Sequence, residues 1–119
     1  MDQGYIDVDG NKYIGEILTI NYEKFKHGKG IMIYKDGSMF KGIWGFDRYN
    51  GHGRKIQIDG TVYEGYYKEG KYHGLGKFIY ENKNVFFGTW KQGKRSIGIL
   101  KSSDGSIIKQ GFWKNDELT

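Results

Sequence analysis

The stretch Tyr63-Glu-Gly-Tyr-Tyr-Lys-Glu-Gly-Lys-Tyr-His-Gly-Leu-Gly76 decides the fold of this chain. Tyr63, Gly65 and Tyr67 stand two residues apart, so all three lie on one face of a β-strand. Gly74 and Gly76 repeat this spacing, and they open a second run that is rich in isoleucine and aromatic residues, as strands are. The stretch therefore predicts the two strands of a β-hairpin.

The same pattern recurs along the chain every 23 residues. The central glycines of the aromatic strand lie at this interval, in the order Gly42, Gly65, Gly88 and Gly111, and an earlier copy at Gly15 precedes them by 27 residues. The second block reads His27-Gly-Lys-Gly30, Asn50-Gly-His-Gly53 and His73-Gly-Leu-Gly76. These two signals, together with recurring Asp-Gly pairs, predict a repeat array in which each unit packs on its neighbours.

The turn signals divide each unit. Asp-Gly pairs occur at Asp9-Gly10, Asp36-Gly37, Asp59-Gly60 and Asp104-Gly105. Asp-Gly between two strands predicts a two-residue type I′ turn, because both central residues of that turn need positive φ. The connection inside each unit, at residues 68–72 for example, is expected to be a longer polar loop.

The composition agrees with an ordered β protein. The chain has 119 residues, with 20 Gly, 10 Tyr, 7 Phe, 3 Trp and neither Pro nor Cys. Alanine is absent and leucine occurs four times, which disfavours helices. Glycine normally weakens a strand, but an aromatic ring can lie across a strand glycine and cover it. We therefore interpret the glycines as architecture.

On these motifs the sequence resembles the MORN-repeat family (membrane occupation and recognition nexus). The period matches, as does the order Tyr-x-Gly-x-Trp, His-Gly-x-Gly, Asp-Gly. The first unit departs from the pattern with Ile17 in the place of Trp and four extra residues near Thr19 to Lys26. The fourth unit reads Arg95-Ser-Ile-Gly98, and the last stops after Trp113. Degenerate ends are typical of a capped array, and they equally fit a fragment of a longer array.

The predicted architecture is all-β, an elongated single-layer antiparallel meander of β-hairpins with nine or ten short strands. The resemblance implies a twisted, grooved ribbon, and a closed barrel is the alternative. One array spans residues 1–119, with units near 9–35, 36–58, 59–81, 82–103 and 104–119. At ~4.8 Å between strands, the body would be roughly 45 Å long.

Sequence motifs for catalysis are missing. His27 and His73 occupy one repeat position two units apart, too far to share a metal ion, and His52 is out of phase. The aspartates recur with the turns, and no Gly-x-Gly copy precedes a predicted helix that could bind phosphate. We therefore expect no enzyme, no cofactor and no metal site.

The aromatic row is the candidate binding surface. We expect most of its rings to form the core, yet a single layer cannot bury both faces, so some rings should stay accessible and favour a protein partner. The resemblance suggests a helical or extended segment laid along an aromatic-lined groove. The candidate partner-binding residues are Tyr13, Phe40, Trp44, Tyr63, Tyr67, Phe86, Trp90 and Trp113.

The alternative function is binding of anionic phospholipids, phosphoinositide or phosphatidylserine, at a basic edge. Its candidate residues are Lys68, Lys71, Lys91, Lys94 and Arg95, at about 1 kcal/mol each near a membrane. The net charge is +5, but acidic residues interrupt the basic ones along most of the chain, so we expect no basic stripe that binds nucleic acid. Homodimerisation through a free sheet edge is a third option. Without cysteine or a signal peptide, we expect an intracellular, cytoplasmic protein at the cytoskeleton or the cytoplasmic face of a membrane.

Overall fold

A computed structural model describes residues 2–114 and the backbone of residues 117–118. The described residues form strands and turns without a helix. The strands are β1 Asp2–Val8, β2 Asn11–Ile20, β3 Glu23–Ile33, β4 Met39–Gly45, β5 Arg48–Ile56, β6 Val62–Lys68, β7 Lys71–Ile79, β8 Val85–Lys91, β9 Lys94–Lys101, β10 Ile107–Lys114 and β11 Glu117–Leu118.

The strands pair antiparallel in chain order, so the sheet is an open meander. Strands β1 to β10 have seven residues or more, and β11 adds two residues beside β10. The molecule measures 50 × 24 × 19 Å. The predicted all-β ribbon is confirmed, and the closed barrel is excluded because β1 does not pair with the last strands of the described chain.

A row of ten glycines crosses the sheet, one from each strand β1 to β10. Each pairs directly with the next, in the order Gly4, Gly15, Gly30, Gly42, Gly53, Gly65, Gly76, Gly88, Gly98 and Gly111. A Cβ at Gly98 would lie 2.6 Å from Cζ of Phe86, and one at Gly30 would overlap the Tyr13 ring. Rings of neighbouring strands therefore occupy the space that these glycines leave, as the sequence predicted.

The hairpins bend just beyond the glycine row. The register shifts between Gly15 and Ile17 in the β2–β3 pair, and at the equivalent place in the β4–β5, β6–β7 and β8–β9 pairs. Such bulges bend a strand and increase its twist. The backbone N–H of Gly70 then donates to the oxygen of Tyr49 at 2.8 Å, and Gly93 repeats this bond to Tyr72 at 2.9 Å. Each bent hairpin end thus rests on the hairpin before it.

The two kinds of turn are exchanged relative to the prediction. Inside the third unit, Lys68 pairs with Lys71, so the connection is a two-residue turn in which Glu69 (φ 51°) and Gly70 (φ 86°) both have positive φ. The expected longer loop at this place was wrong. The continuous pairing of both strands into the turn leaves no residues for a longer loop.

Of the Asp-Gly pairs, only Asp9-Gly10 forms the predicted two-residue turn, between Val8 and Asn11. At Asp59-Gly60 only the glycine has positive φ, and the loop is longer, closed by a hydrogen bond from Gln57 N to Thr61 O. The Asp59 carboxylate accepts bonds from the N–H and hydroxyl of Thr61. These bonds stabilise the wider loop, which is why Asp recurs there.

The four extra residues of the first unit lengthen one hairpin. Beyond Ile17, strands β2 and β3 continue through three more pairs, the last being Ile20 with Glu23. In the third unit only Lys68 with Lys71 follows Tyr67. The insertion therefore adds two residue pairs at the turn end and leaves the glycine row in register.

Candidate binding face

The eight aromatic residues predicted to bind a partner form one continuous chain of ring contacts, here called the ring ladder. Neighbouring rings meet edge to face, with centroids 5.0 to 5.5 Å apart. Each such contact contributes about 0.5–1.5 kcal/mol beyond the buried area. In order of contact the ring ladder is Tyr13, Trp44, Phe40, Tyr67, Tyr63, Trp90, Phe86 and Trp113.

Hydrogen bonds fix the ring ladder to the sheet. The indole N–H of Trp44 donates to the Gly30 oxygen at 3.1 Å, and that of Trp90 donates to the Gly76 oxygen at 3.2 Å. The Tyr63 hydroxyl donates to the Tyr66 oxygen at 2.8 Å. The polar atoms of these three buried rings are therefore paired, as burial requires.

The ring ladder is the hydrophobic core of the ribbon. Its side chains are 0% to 7% exposed. The interpretation that most rings form the core is confirmed, and the expectation that rings of this row stay accessible is wrong, because the bent hairpin ends cover them. A role of these eight residues in partner binding stays a prediction, and their side chains offer little contact area for it.

A second row of side chains lies over the ring ladder, here called the cover row. Tyr49 stacks on Phe40 with centroids 3.7 Å apart, and Tyr72 stacks on Tyr63 at 3.8 Å. The Arg95 guanidinium lies 5.6 Å from the Phe86 and Trp113 rings, and Lys26 lies 5.8 Å from Trp44. The cover row is Lys26, Tyr49, Tyr72 and Arg95.

Sequence reasoning missed the cover row, although its members follow each other at the repeat period of 23 residues. Two tyrosines, a lysine and an arginine differ too much in chemistry to be recognised as one position of the repeat. What they share is a flat or extended side chain that can lie on an aromatic ring. The period alone could have revealed them.

Shallow cavities follow the cover row along the ring face. One of ≈ 310 Å³ includes Met32, Tyr34 and Tyr49, and one of ≈ 240 Å³ lies between Tyr49 and Tyr72. A third, of ≈ 260 Å³, includes Tyr80 and Arg95. The ring-face groove is defined here by the half-buried tyrosines that line these cavities: Tyr34, Tyr49, Tyr72 and Tyr80.

Lys55 lies inside the ring-face groove. Its Nζ is 5.3 Å from the centroid of Tyr34 and 5.4 Å from that of Tyr49, whose two hydroxyls are hydrogen-bonded to each other. Burial lowers the pKa of Lys55, and the nearby Asp36 carboxylate opposes this. Burial also raises the pKa of Tyr34 and of Tyr49. The groove is therefore a partly desolvated site with a cation held between rings.

Tyr67 is the ladder residue with an unsatisfied polar atom. Its hydroxyl is buried and has no hydrogen-bond partner among the described residues. The residue is 4% exposed and lines the cavity that also contains Lys55. Burial raises the pKa of the Tyr67 hydroxyl, so it keeps its proton at neutral pH and is a hydrogen-bond donor.

The basic edge predicted for lipid binding is only partly assembled. Lys68, Lys71, Lys91 and Lys94 are exposed beside the two-residue turns, where Lys68 pairs with Lys71 and Lys91 with Lys94. Arg95 belongs to the cover row instead, and its guanidinium donates to the Tyr80 hydroxyl at 3.0 Å. Arg95 pairs with Trp90 and stacks on the ring ladder instead of standing beside the four lysines, and the role of these five residues in lipid binding stays a prediction.

The opposite face of the sheet, here called the outer face, is open to solvent. Its exposed apolar side chains are 42% to 63% accessible: Tyr5, Ile14, Tyr66, Leu75, Phe87, Ile97 and Phe112. A trough of ≈ 740 Å³ crosses the first half of this face. Its lining includes the apolar side chains of Ile14, Ile31 and Ile43 and the charged side chains of Lys41 and Arg54.

His27 and Asp104 have structural partners. His27 accepts the N–H of Phe46 on Nδ1 at 3.0 Å, and Asn50, one repeat later, accepts the N–H of Glu69 at 3.3 Å. Hydrogen bonds from Ser102 and Ser106 lower the pKa of Asp104 to about 2. Within residues 2–114, no three His, Cys, Asp or Glu side chains are grouped as metal ligands. Nor do these residues include a helix able to span a bilayer.

Comparison with known families gives one repeated match. The family model described as MORN repeat matches residues 23–39, 40–62, 63–85 and 86–107, which is more than half of the chain. Each matched segment begins near or within a strand of the sheet described above. No curated protein matches the chain.

Proposed function

Because the chain belongs to the MORN-repeat family, we propose that it is a non-catalytic scaffold that binds a segment of a partner protein along the ring-face groove. MORN repeats are commonly scaffold or binding modules, and the family is generally non-catalytic. The segment is helical or extended, and the accessible rings of the groove are its contacts.

One observation carries this proposal. The ring-face groove leaves four half-buried tyrosines at the surface: Tyr34, Tyr49, Tyr72 and Tyr80. Tyrosine offers a large rigid contact area at low conformational cost, and it is enriched where proteins bind each other. The ring ladder beneath holds these rings in place, so a partner would meet a preorganised surface.

A blocking experiment tests the proposal. The chain contains no cysteine, so a single introduced thiol can be labelled selectively. Lys71→Cys places it at the groove, and Lys41→Cys places the matched control on the outer face. Peptides selected from a random display library on the unmodified protein are then bound to both variants, before and after coupling a bulky maleimide.

We expect the label at position 71 to reduce peptide binding at least about tenfold, the effect of removing one good contact, and the label at position 41 to leave it unchanged. Equal binding with both labels, or a library that yields no binding peptide, would contradict the proposal. Circular dichroism of both labelled variants checks that the sheet is intact.

A second candidate function is binding of anionic phospholipids at the turn edge. The exposed lysines at positions 68, 71, 91 and 94 support it, with Glu69 as the acid in the same two turns. Each lysine near an anionic surface contributes about 1 kcal/mol. An intracellular site at the cytoplasmic leaflet goes with this candidate.

Flotation with phosphoinositide-containing vesicles tests the second candidate. The wild type should float with the vesicles at physiological salt, and Lys91→Glu with Lys94→Glu should remain at the bottom of the gradient. Lys12→Glu with Lys29→Glu serves as the control of equal charge, since both lysines are exposed away from these turns. Absence of flotation by the wild type would rule lipid binding out.

A further inference from the structure

The ring-face groove carries an inference about the chemistry of the partner, and this inference rests on the function proposed above. We propose that the partner segment is acidic and that one of its carboxylates binds between Tyr49 and Tyr72, in the cavity that Lys55, Tyr67 and Lys71 also line. The site takes an Asp or Glu side chain of a protein.

Lys55 departs from the pattern of its own repeat position. Tyr13 pairs with Met32, Tyr63 with Phe78 and Phe86 with Leu100, but Phe40 pairs with Lys55. Three units thus place an apolar side chain here, and the second unit places a cation. Natural sequences break a local rule of this kind mostly at functional sites.

Lys55 forms no ion pair within the described residues, although the Asp36 carboxylate is near enough to act on its charge. The ion pairs of the described residues join Lys26 to Asp47 at 3.3 Å and Lys77 to Glu64 at 3.8 Å, and Lys55 belongs to neither. Burying a cation without an ion pair is costly, and the rings of Tyr34 and Tyr49, together with the Asp36 charge, compensate for only part of that cost. An incoming carboxylate would complete the compensation.

The cavity beside Lys55 suits such a group. It measures ≈ 240 Å³ and is lined by Tyr49, Lys55, Tyr67, Lys71 and Tyr72, together with two glycines of the neighbouring turns. The buried Tyr67 hydroxyl at this cavity lacks an acceptor within the described chain. A carboxylate would accept from the hydroxyl and from both lysines, which satisfies an otherwise unpaired donor.

The charges along the rest of the groove have the same sign. Its cavities are lined by five basic side chains: Lys26, Arg48, Lys55, Lys71 and Arg95. The one acid that lines them is Asp47, which is already paired with Lys26. Complementary charge selects partners and orients them, so the groove favours a segment with several acidic residues.

A protein segment fits this site better than a membrane surface does. Lys55 is half-buried between rings, and Tyr67 lies deeper still, whereas the lysines that a flat bilayer could reach stand at the turn edge. A side chain on a flexible segment can enter between Tyr49 and Tyr72. Vesicle binding that depends on Lys55 is therefore an outcome that counts against the proposal.

The test uses a random-peptide display library selected on the intact protein. Peptides whose binding is lost when Lys71→Cys carries the maleimide label are sequenced. Their affinities are then measured for three variants. Lys55→Met removes the charge and introduces the residue that the first unit has at this position. Tyr67→Phe removes only the hydroxyl, and Lys41→Met is the control on the outer face.

We expect the groove-binding peptides to be enriched in Asp and Glu, and their Gln and Asn counterparts to bind at least about tenfold more weakly. Lys55→Met and Tyr67→Phe should each weaken the acidic peptides while leaving thermal stability at or above that of the wild type. Lys41→Met should change neither quantity.

The outcomes separate this inference from the proposed function. Groove-binding peptides without acidic enrichment, or with affinities unchanged by Lys55→Met, would overturn the inference and leave the scaffold function standing. A library that yields no groove-binding peptide would overturn both. Phosphoinositide vesicles that bind through Lys55, in the absence of peptide binding, would replace the acidic segment with a lipid headgroup.

Discussion

At the residue scale, Gly76 shows how an absent side chain shapes this fold. The Tyr63 ring occupies the space where a Cβ of Gly76 would lie, and the Trp90 indole donates to the Gly76 oxygen at 3.2 Å. One glycine therefore receives a ring from its own hairpin and a hydrogen bond from the next. The period-two spacing of rings and glycines made this mutual cover predictable from the sequence.

Gly76→Ala should destabilise the protein by about 1–3 kcal/mol, the usual cost of overpacking a close-packed core. The added methyl group would meet a ring that is 0% exposed and cannot move aside. Gly45→Ala is the matched control, because its Cβ would meet only the Asn50 side chain at 3.1 Å. Urea unfolding of both variants measures the difference, and equal losses would refute the assigned role of Gly76.

The buried tyrosines predict a loss of stability in alkali. Burial, with the Glu16 and Asp47 charges, raises the pKa of Tyr13 to about 12, and burial also raises the pKa of Tyr63 and Tyr67. Because the folded pKa exceeds the unfolded value near 10, this stability is fully present below about pH 10. It should be lost as the pH rises toward 12 and beyond.

Ultraviolet absorbance and circular dichroism, recorded together during an alkaline titration, check this prediction. Ionisation of the buried tyrosines should coincide with loss of the sheet. Complete ionisation near pH 10 in a protein that keeps its sheet would show that these hydroxyls are not buried as described.

At the scale of the element, the turns were the least predictable part. The turn at Phe46 and Asp47 has φ of 44° and 70°, although neither residue is glycine. Phenylalanine rarely adopts this conformation, so the residues of this turn give no sign of a two-residue connection. Pairing of the two strands, set by the glycine row and the rings, imposes the turn and overrides the local preference.

The third of the four wide loops, at residues 80–84, offers a test of backbone strain. Lys83 has φ of 73° at the position that Gly37, Gly60 and Gly105 occupy in the other loops. Its N–H donates to the Tyr80 oxygen at 2.9 Å, as the N–H of Gly60 does to Gln57 at 3.0 Å. A left-handed conformation costs a non-glycine residue about 1–2 kcal/mol.

Lys83→Gly should therefore stabilise the protein by about 0.5–1 kcal/mol, after the greater freedom of glycine in the unfolded chain is subtracted. The reverse change, Gly60→Lys, should destabilise it by a similar amount. Thermal unfolding of the pair measures both effects. The two substitutions must change the stability in opposite directions. A loss of stability in Lys83→Gly would contradict the backbone strain inferred for Lys83.

At the scale of the whole molecule, the sequence predicted an open ribbon but not its curvature. The repeat period fixed the row of rings, and a flat single layer would have left that row half exposed. Burial of the ring ladder instead follows from the bulges beyond Gly15, Gly42 and Gly65, which turn each hairpin end over its neighbour. Bulges depend on pairing between strands, so no single segment encodes them. The surface proposed for binding is therefore the ring-face groove above the ladder, not the ladder itself.

The linear order of strands predicts a gradient of stability along the ribbon. Among the described strands each pairs with the one before and the one after it, so β1 has one neighbour and β10 has only the two residues of β11 on its far side. Amides of β6 and β7 should exchange with solvent most slowly, and those of β1 and β10 fastest. Hydrogen exchange followed by mass spectrometry measures this order. Equal protection of β1 and β6 would show that the ribbon unfolds as one unit.

The glycine row also determines how such a chain can change its length during evolution. Duplicating one 23-residue unit would keep each ring with its glycine and lengthen the body by about 10 Å, the width of two strands. Gaining or losing a few residues near the row would separate them. The extra residues of the first hairpin lie beyond Ile17, at the turn end, where growth leaves the row untouched. Mutation can therefore lengthen the turn ends of the hairpins freely, whereas the glycine row grows only by whole repeat units.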